Sequence, residues 1–187
     1  TVAVRLVEQL WMVSNATSAV IFPMLSAMAG DENARRRFTP IMARSVMLVT
    51  LLASLVLAAL AAPLIRILFG ANFEPASLAL FVMLPGVVFL SSARVLANDL
   101  ASRGMVGINL ALSGMVLFLN TGANLLLIPS YGIIGAAAAT SMTYALVFLV
   151  RIVLHHFLVG MPWWTLMLPS KDDFFRLVKA SPKRRLQ

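Results

Sequence analysis

Five long apolar runs, separated by short polar loops, dominate this chain. They cover about residues 2–28, 43–69, 76–96, 105–128 and 133–157. A helix of about 20 apolar residues spans the roughly 30 Å hydrocarbon core of a bilayer, so each run predicts a transmembrane helix. Loops this short make successive helices antiparallel. The pattern predicts an all-α fold, a polytopic integral membrane bundle of five transmembrane helices within residues 1–160.

Turn-forming residues end each run. Gly, Pro, Asn and Asp concentrate in four predicted loops, at about residues 30–33, 70–75, 103–104 and 129–132. After the last run, Trp163 and Trp164 suit the headgroup layer of a membrane. Ser170 and Asp173 resemble a capping box that opens a short amphipathic helix before a basic tail. We therefore predict a cytoplasmic interfacial helix and tail over residues 161–187.

Basic residues lie in alternate loops. Thirteen of the fifteen Lys and Arg residues fall on one side of the predicted bundle, and only Arg5 and Arg66 fall on the other. Cytoplasmic loops of membrane proteins are enriched in Lys and Arg, so the basic side and the C-terminus are predicted to be cytoplasmic.

Composition excludes several classes of protein. The chain is 60% hydrophobic and 12% charged, with a mean hydropathy of +0.92, which argues against a water-soluble domain. Its net charge of +8 follows the loops and the tail, which indicates anionic membrane lipids as partners and no nucleic acid. Without cysteine, the chain has no disulfide and no thiolate metal ligand.

Polar residues form a stripe on each of two predicted spans. The first stripe consists of Arg5, Glu8, Asn15 and Ser18. The second consists of Asn109, Ser113, Asn120 and Asn124. Spacings of three, four and seven residues place side chains on one helix face, and charges inside a membrane normally face a bundle interior or a wet cavity. Each stripe is predicted either to line a substrate path or to hold helices together by hydrogen bonds.

Other residues in the spans allow two interpretations. Arg94 either lines the path or extends to the membrane surface. Pro85 and Gly86 fall in the middle of the third run, where they predict a kink that either accommodates packing or acts as a hinge during transport. Gly135 and Ala139 predict a close helix contact.

Four residues near the predicted basic side carry simpler interpretations. Asp99 is predicted to form a charge pair with Arg103 in a loop. The adjacent His155 and His156 point about 100° apart on a helix, which favours a helix cap over a metal pair.

Nothing in the chain resembles an enzyme active site. It has no G-x-S-x-G or H-E-x-x-H motif, no phosphate-binding glycine loop and no pair of carboxylates within one span. We predict no catalytic residues, no metal site and no cofactor.

Several segments, in this order, resemble the C-terminal half of polysaccharide-export (Wzx-like) flippases. These proteins belong to the multidrug/oligosaccharidyl-lipid/polysaccharide (MOP) superfamily. The segments are residues 22–26 (FPMLS), 63–70 (PLIRILFG), 72–73 (NF), 84–86 (LPG), Asn120, Asn124 and 127–137 (LIPSYGIIGAA). The resemblance extends from Thr1 to about Phe157.

The resemblance implies a MOP/MATE-like architecture of two six-helix lobes around a hydrophilic cavity that opens alternately to either side. This chain would supply five helices of the C-terminal lobe and lack that lobe's first helix. The function implied is transport of undecaprenyl-pyrophosphate-linked oligosaccharides across the bacterial inner membrane for O-antigen, capsule or exopolysaccharide synthesis. Polysaccharide polymerase and glycosyltransferases would be further partners.

The resemblance also implies roles for the striped residues. Arg5 and Arg94 would attract the pyrophosphate, and Glu8 would balance charge or couple transport to H⁺ or Na⁺. The polar residues that would line the path are Asn15, Ser18, Asn109, Ser113, Asn120 and Asn124.

Four alternatives remain. The first two are a lipid II flippase and a cation-coupled multidrug exporter of the same superfamily. A membrane glycosyltransferase or polymerase is more remote because the predicted outer loops are short. A structural subunit without transport would use both stripes only for helix contacts.

Overall fold

The computed structural model describes residues 2–70 and 76–167, without the side chains of residues 2–11, 13, 14, 68 and 167. This part of the chain consists of helices joined by short turns and contains no strand. The helices are α1 (Val2–Ala27), α2 (Glu32–Phe69), α3 (Ala76–Ser102), α4 (Val106–Val159) and α5 (Trp163–Met167). The predicted all-α fold is confirmed. Of the predicted interfacial segment over residues 161–187, the structure describes only residues 161–167, and the predicted amphipathic helix after Ser170 and the basic tail lie outside the described residues.

The element α4 is a hairpin of two helices that meet at Gly132. This glycine has φ 56° and ψ −130°, which is not a helical conformation. Asn109 and Arg151 would be about 63 Å apart along a straight helix, at 1.5 Å per residue. Their side chains are instead hydrogen-bonded at 2.6 Å. The chain therefore folds back at Gly132, where the sequence predicts a loop, and the first helix continues up to this residue.

Three helical elements in the described part are long and apolar enough to cross a bilayer. They are Glu32–Ile67, Ala76–Ser102 and Val106–Val159, of which the last is the hairpin of two helices. Large apolar side chains remain exposed on the outside of the bundle, among them Phe118 at 78% and Leu126 at 78%. Such a surface is suited to lipid contact. These features agree with an integral membrane helix bundle, and the number of five crossings stays a prediction.

Helix α2 begins eleven residues before the predicted apolar span. Asp31 caps it, because its Oδ1 accepts a hydrogen bond from the backbone N–H of Ala34 at 2.9 Å. Several arginines that the sequence places beside a loop therefore lie on the first turns of a helix.

Helix α3 is central and packs against α1, α2 and α4. Gly86 makes the contact with α4 very close, since a Cβ atom added there would lie 2.5 Å from the Cα of Ser141. Gly135 likewise lets the two helices of the hairpin approach, because its added Cβ would lie 2.3 Å from the carbonyl oxygen of Leu127. The predicted close helix contact at Gly135 is confirmed.

Candidate functional site

The two polar stripes meet partners on other helices. Arg94 of α3 is half-buried and donates a hydrogen bond from Nη1 to Oδ1 of Asn15 on α1. Tyr144 of α4 is close enough to interact electrostatically with Arg94. Asn15 and Arg94, both predicted from the sequence to line a path, are therefore brought together by the fold.

Asn109 connects three helices. Its Nδ2 donates to the backbone carbonyl of Ala97 on α3 at 2.9 Å. Its Oδ1 accepts a hydrogen bond from Arg151 Nη1 at 2.6 Å, across the α4 hairpin. Arg151 is only 8% exposed. Asn109 thus serves as a helix contact, and it also orients a buried cation.

Arg94 and Arg151 line the same pocket. This pocket has a volume of about 260 Å³, and it is also lined by Ser113 and four apolar residues of α3 and α4. Ser113 donates to the carbonyl of Asn109 at 2.9 Å, so its Oγ keeps lone pairs for another donor. Among the described residues that line the pocket, two are cations and none is acidic. An anionic group would therefore meet favourable charge here.

The other half of the second stripe forms a separate cluster nearer the turn of the hairpin. Asn120 Nδ2 lies 3.5 Å from Thr140 Oγ1, and Asn120 Oδ1 accepts a hydrogen bond from Asn124 Nδ2 at 2.9 Å. Thr140 in turn donates to the carbonyl of Ala136 at 3.0 Å. This cluster holds the two helices of α4 together by polar contacts.

The remaining predicted site residues have less defined surroundings. The side chains of Arg5 and Glu8 lie outside the described part of the structure. Ser18 is half-buried on α1, one turn after Asn15. Pro85 is exposed and Gly86 buried, and α3 continues as a helix through both of them. The hinge stays a prediction.

A second polar cluster occupies the basic end of the bundle, where α2 begins and where α3 and α4 end. Asp99 is fully buried and accepts a hydrogen bond from Arg103 Nε at 2.9 Å. Arg103 also pairs with Glu32 at 2.8 Å, and Glu32 pairs with Arg36 at 3.0 Å. The predicted Asp99–Arg103 pair is confirmed, but its placement in a loop is wrong, because α3 extends to Ser102 and carries Asp99 into the core.

His155 of α4 completes this cluster. Its Nε2 lies 3.3 Å from Oδ2 of Asp99, and both side chains are fully buried. His156, by contrast, is exposed, and its Nδ1 lies 3.1 Å from the carbonyl oxygen of Met161 beyond the helix end. The predicted capping role therefore fits His156, whereas the ring of His155 turns into the core.

The surroundings of Arg103 explain why it stays charged. Burial lowers the pKa of its guanidinium, but the hydrogen bonds with Asp99 and Glu32 outweigh burial and raise the pKa above its ordinary value. Arg103 thus provides a permanent positive charge beside Asp99. Within residues 2–70 and 76–167, no three His, Asp or Glu side chains come close enough to hold a metal ion.

Sequence reasoning missed Arg151, Thr140 and the Asp99–His155 contact. The sequence pattern groups Arg151 with the charges of the basic side, although it lies six residues inside the end of the last apolar run, which is nearly two helix turns. The sequence did contain a signal for Arg151: a charged residue at this depth in an apolar run, which lies opposite Asn109 once the hairpin is folded. Asp99 and His155 are 56 positions apart, and no local spacing connects them.

Two comparisons with known proteins are consistent with this arrangement. The family described as "Lipid II flippase MurJ" matches residues 4–168. A curated relative, the probable low-salt glycan biosynthesis flippase Agl15 of Haloferax volcanii, is 28% identical over 149 residues. The match covers 78% of this chain and 30% of the relative, so the chain spans less than a third of that protein's length. The predicted flippase class within the MOP superfamily is confirmed, and the polysaccharide-export branch stays a prediction.

Proposed function

Because the chain belongs to the MurJ family of lipid II flippases, we propose that it forms part of the wall of a flippase for a glycan carried on a lipid pyrophosphate. The substrate would be lipid II, as the family description suggests, or an undecaprenyl-linked oligosaccharide, as the sequence resemblance implies. The name of the relative supports a glycan in general terms. Transport would move the substrate across the membrane by alternating access, without making or breaking a covalent bond.

The observation that carries this proposal is the pair of arginines in one pocket. A charged side chain at the centre of a membrane helix costs about 2.5–3.5 kcal/mol on insertion scales, and the cost falls towards the helix ends. Arg94 and Arg151 both lie within apolar helices, and Asn15 and Asn109 hold their guanidinium groups in place. Guanidinium groups bind phosphate oxygens through paired hydrogen bonds. A pyrophosphate passing along the bundle is the part of the substrate that such a pocket would attract.

The other predicted residues fit supporting roles in this proposal. Arg5 would add positive charge on α1, and Glu8 would balance it or bind a coupling H⁺ or Na⁺. Asn120 and Asn124 would face the sugar, and Ser18 would line the path next to Asn15. Pro85 and Gly86 would let α3 bend, with the C-terminus on the cytoplasmic side of a bacterial inner membrane.

Reconstitution into lipid vesicles would test the function. The complete protein that carries this chain is reconstituted with fluorescent lipid II in one preparation and with an undecaprenyl-pyrophosphate oligosaccharide in another. We expect transbilayer movement of one of them. Movement of neither substrate, under conditions where the protein is folded, would contradict the proposal.

Variants test the arginine pocket. Losing a charge-assisted hydrogen bond to the substrate costs about 1.5–3 kcal/mol, so Arg94→Gln and Arg151→Gln should each slow transport about 10- to 100-fold. Arg66→Gln is the matched control, because Arg66 is an exposed arginine in the last turn of α2. If the pocket variants transport as fast as the control while remaining equally stable, the pocket does not bind the substrate.

A further inference from the structure

The two helices of the α4 hairpin keep one register between their polar contacts. Asn109 contacts Arg151 at 2.6 Å, and Asn120 contacts Thr140 at 3.5 Å. Eleven residues separate the two asparagines on the first helix, and eleven residues separate Thr140 from Arg151 on the returning helix. The register is therefore the same at both contacts, and it fixes which residues lie opposite each other between them.

Tyr144 lies beside the arginine pocket. In this register it is opposite Val116, which lines the pocket. On its own helix, Tyr144 precedes Val147 and Arg151 by three and seven residues, and this spacing places all three on one helix face. Val147 and Arg151 line the pocket as well. Tyr144 is half-buried and close enough to interact electrostatically with Arg94, so its side chain borders the pocket on the side towards the hairpin turn.

The polar cluster near the hairpin turn continues this line of polar groups. Thr140 precedes Tyr144 by four residues on the same helix face, which is about 6 Å along the helix axis. Thr140 contacts Asn120, which accepts a hydrogen bond from Asn124. Within the described residues, no group donates to the buried Oδ1 of Asn124. The hairpin therefore presents guanidinium, phenol and amide groups in that order.

A glycan carried on a lipid pyrophosphate has the same order of groups. Its pyrophosphate is anionic and is bonded directly to the first sugar, and the sugar carries uncharged hydroxyl groups. With the phosphates held by Arg94 and Arg151, the first sugar is the group next to the pocket. A sugar ring has an apolar C–H face and hydroxyl groups at its edge. Tyrosine matches both, because it combines an apolar ring with a hydroxyl that donates and accepts hydrogen bonds.

We propose that Tyr144 binds the first sugar of the substrate and distinguishes the loaded lipid carrier from the bare one. The aromatic ring packs against the C–H face of this sugar, and the phenol hydroxyl forms a hydrogen bond with a sugar hydroxyl. The arginines cannot make this distinction, because both carriers present a pyrophosphate to them. This inference rests on the proposed function, since it requires the pyrophosphate to lie between Arg94 and Arg151.

Competition between loaded and bare lipids tests the proposal. Native mass spectrometry of the complete protein in detergent compares the bare lipid, undecaprenyl pyrophosphate, with lipid II and with an undecaprenyl-pyrophosphate oligosaccharide. The readout is the ratio of the Kd for the bare lipid to the Kd for the tighter of the two loaded lipids. We expect the parent protein to prefer the loaded lipid.

Two variants of Tyr144 should reduce this preference by different amounts. Tyr144→Phe removes one hydrogen bond between uncharged groups and should lower the ratio about 2- to 10-fold. Tyr144→Leu removes the aromatic ring as well and should lower it about 5- to 100-fold. Tyr144→Phe keeps the ring and its packing, so it provides the test if Tyr144→Leu does not fold.

Two controls make the result specific to the sugar. Tyr131→Leu is the matched control, because Tyr131 is the other of the two tyrosines, is 65% exposed and precedes the turn at Gly132. It should leave the ratio unchanged. Arg94→Gln should weaken the binding of both lipids by a similar factor and also leave the ratio unchanged, because both lipids carry the pyrophosphate.

The possible outcomes separate this inference from the proposed function. If Tyr144→Leu weakens the binding of both lipids equally, Tyr144 only supports Arg94, and the inference is overturned. A parent protein that binds both lipids equally, or an unchanged ratio in both Tyr144 variants, would overturn it as well, while the proposed function stands. If the folded parent protein binds neither kind of lipid, the proposed function fails and this inference fails with it.

Discussion

Replacing Gly86 with alanine should destabilise the bundle, whereas the same change at Gly114 should not. At Gly86 the new Cβ would lie 2.5 Å from the Cα of Ser141, about 0.9 Å closer than the shortest ordinary contact of 3.4 Å. The backbone of α4 must move to make room, because a Cα atom cannot rotate away. At Gly114, also inside a helix, nothing lies within 4 Å of the added Cβ.

The expected magnitude follows from two opposing effects. Alanine favours a helix over glycine by about 1 kcal/mol, and this gain applies at both positions. Overpacking a close contact costs about 1–3 kcal/mol, and this cost applies only at Gly86. The helix preference cancels in the comparison, so the free energy of unfolding of Gly86→Ala should be about 1–3 kcal/mol below that of Gly114→Ala.

Equilibrium unfolding in mixed micelles of detergent and sodium dodecyl sulfate measures this difference. A second variant, Gly86→Ala with Ser141→Gly, removes the side chain of Ser141 but leaves its Cα, so it should recover only part of the lost stability. Equal stability of Gly86→Ala and Gly114→Ala would refute the close approach of α3 and α4.

Two further predictions concern hydrogen bonds. Asp31→Ala removes the cap on the N–H of Ala34 and should lower the free energy of unfolding by about 0.5–2 kcal/mol, whereas Asp31→Asn should keep most of this stabilisation. Thermal unfolding followed by circular dichroism compares the two variants. Equal losses of stability would argue against the cap. Asn109→Ala leaves the buried Arg151 without its 2.6 Å partner and should cost about 1–3 kcal/mol. Asn120→Ala loses two contacts between uncharged groups, the 3.5 Å contact with Thr140 and the 2.9 Å hydrogen bond from Asn124, at about 0.6 kcal/mol each. It should therefore cost less than Asn109→Ala, and the reverse order of the two variants in the same unfolding assay would contradict the assigned contacts.

The predictable part of the fold is the part that hydrophobicity controls. Apolar runs and glycine turns predict the helices and the reversal near Gly132, because a membrane admits few alternatives to a helix. The start of α2 could not be predicted from apolar residues, since its first turns are polar and depend on the cap at Asp31. Hydrophobicity predicts which residues lie in the membrane, but the bounds of a helix depend on its backbone and capping hydrogen bonds, which can extend beyond the apolar run.

The candidate site was predictable residue by residue but not as an arrangement. The stripe from Asn109 to Asn124 lies on one helix face, as its spacing predicts, yet its members meet different partners. Asn109 reaches Arg151 near the open end of the hairpin, while Asn120 reaches Thr140 nearer the turn. Spacing along one helix carries no information about the rotation of its neighbour. This is why the arginine pocket and the contact of His155 emerge only in three dimensions.

The sharp reversal at Gly132 has a consequence for how the chain enters the membrane during synthesis. Asn109 Oδ1 and Asn120 Nδ2 have their partners on the returning helix. If the first helix entered lipid alone, these two polar atoms would lack those partners in hydrocarbon. If the two helices of α4 enter the membrane as a preformed pair, that cost is removed. Because only one non-helical residue connects them, the second helix lies beside the first as soon as it is synthesised. The hairpin is thus a natural unit of insertion, to which α3 is joined by the Gly86 contact.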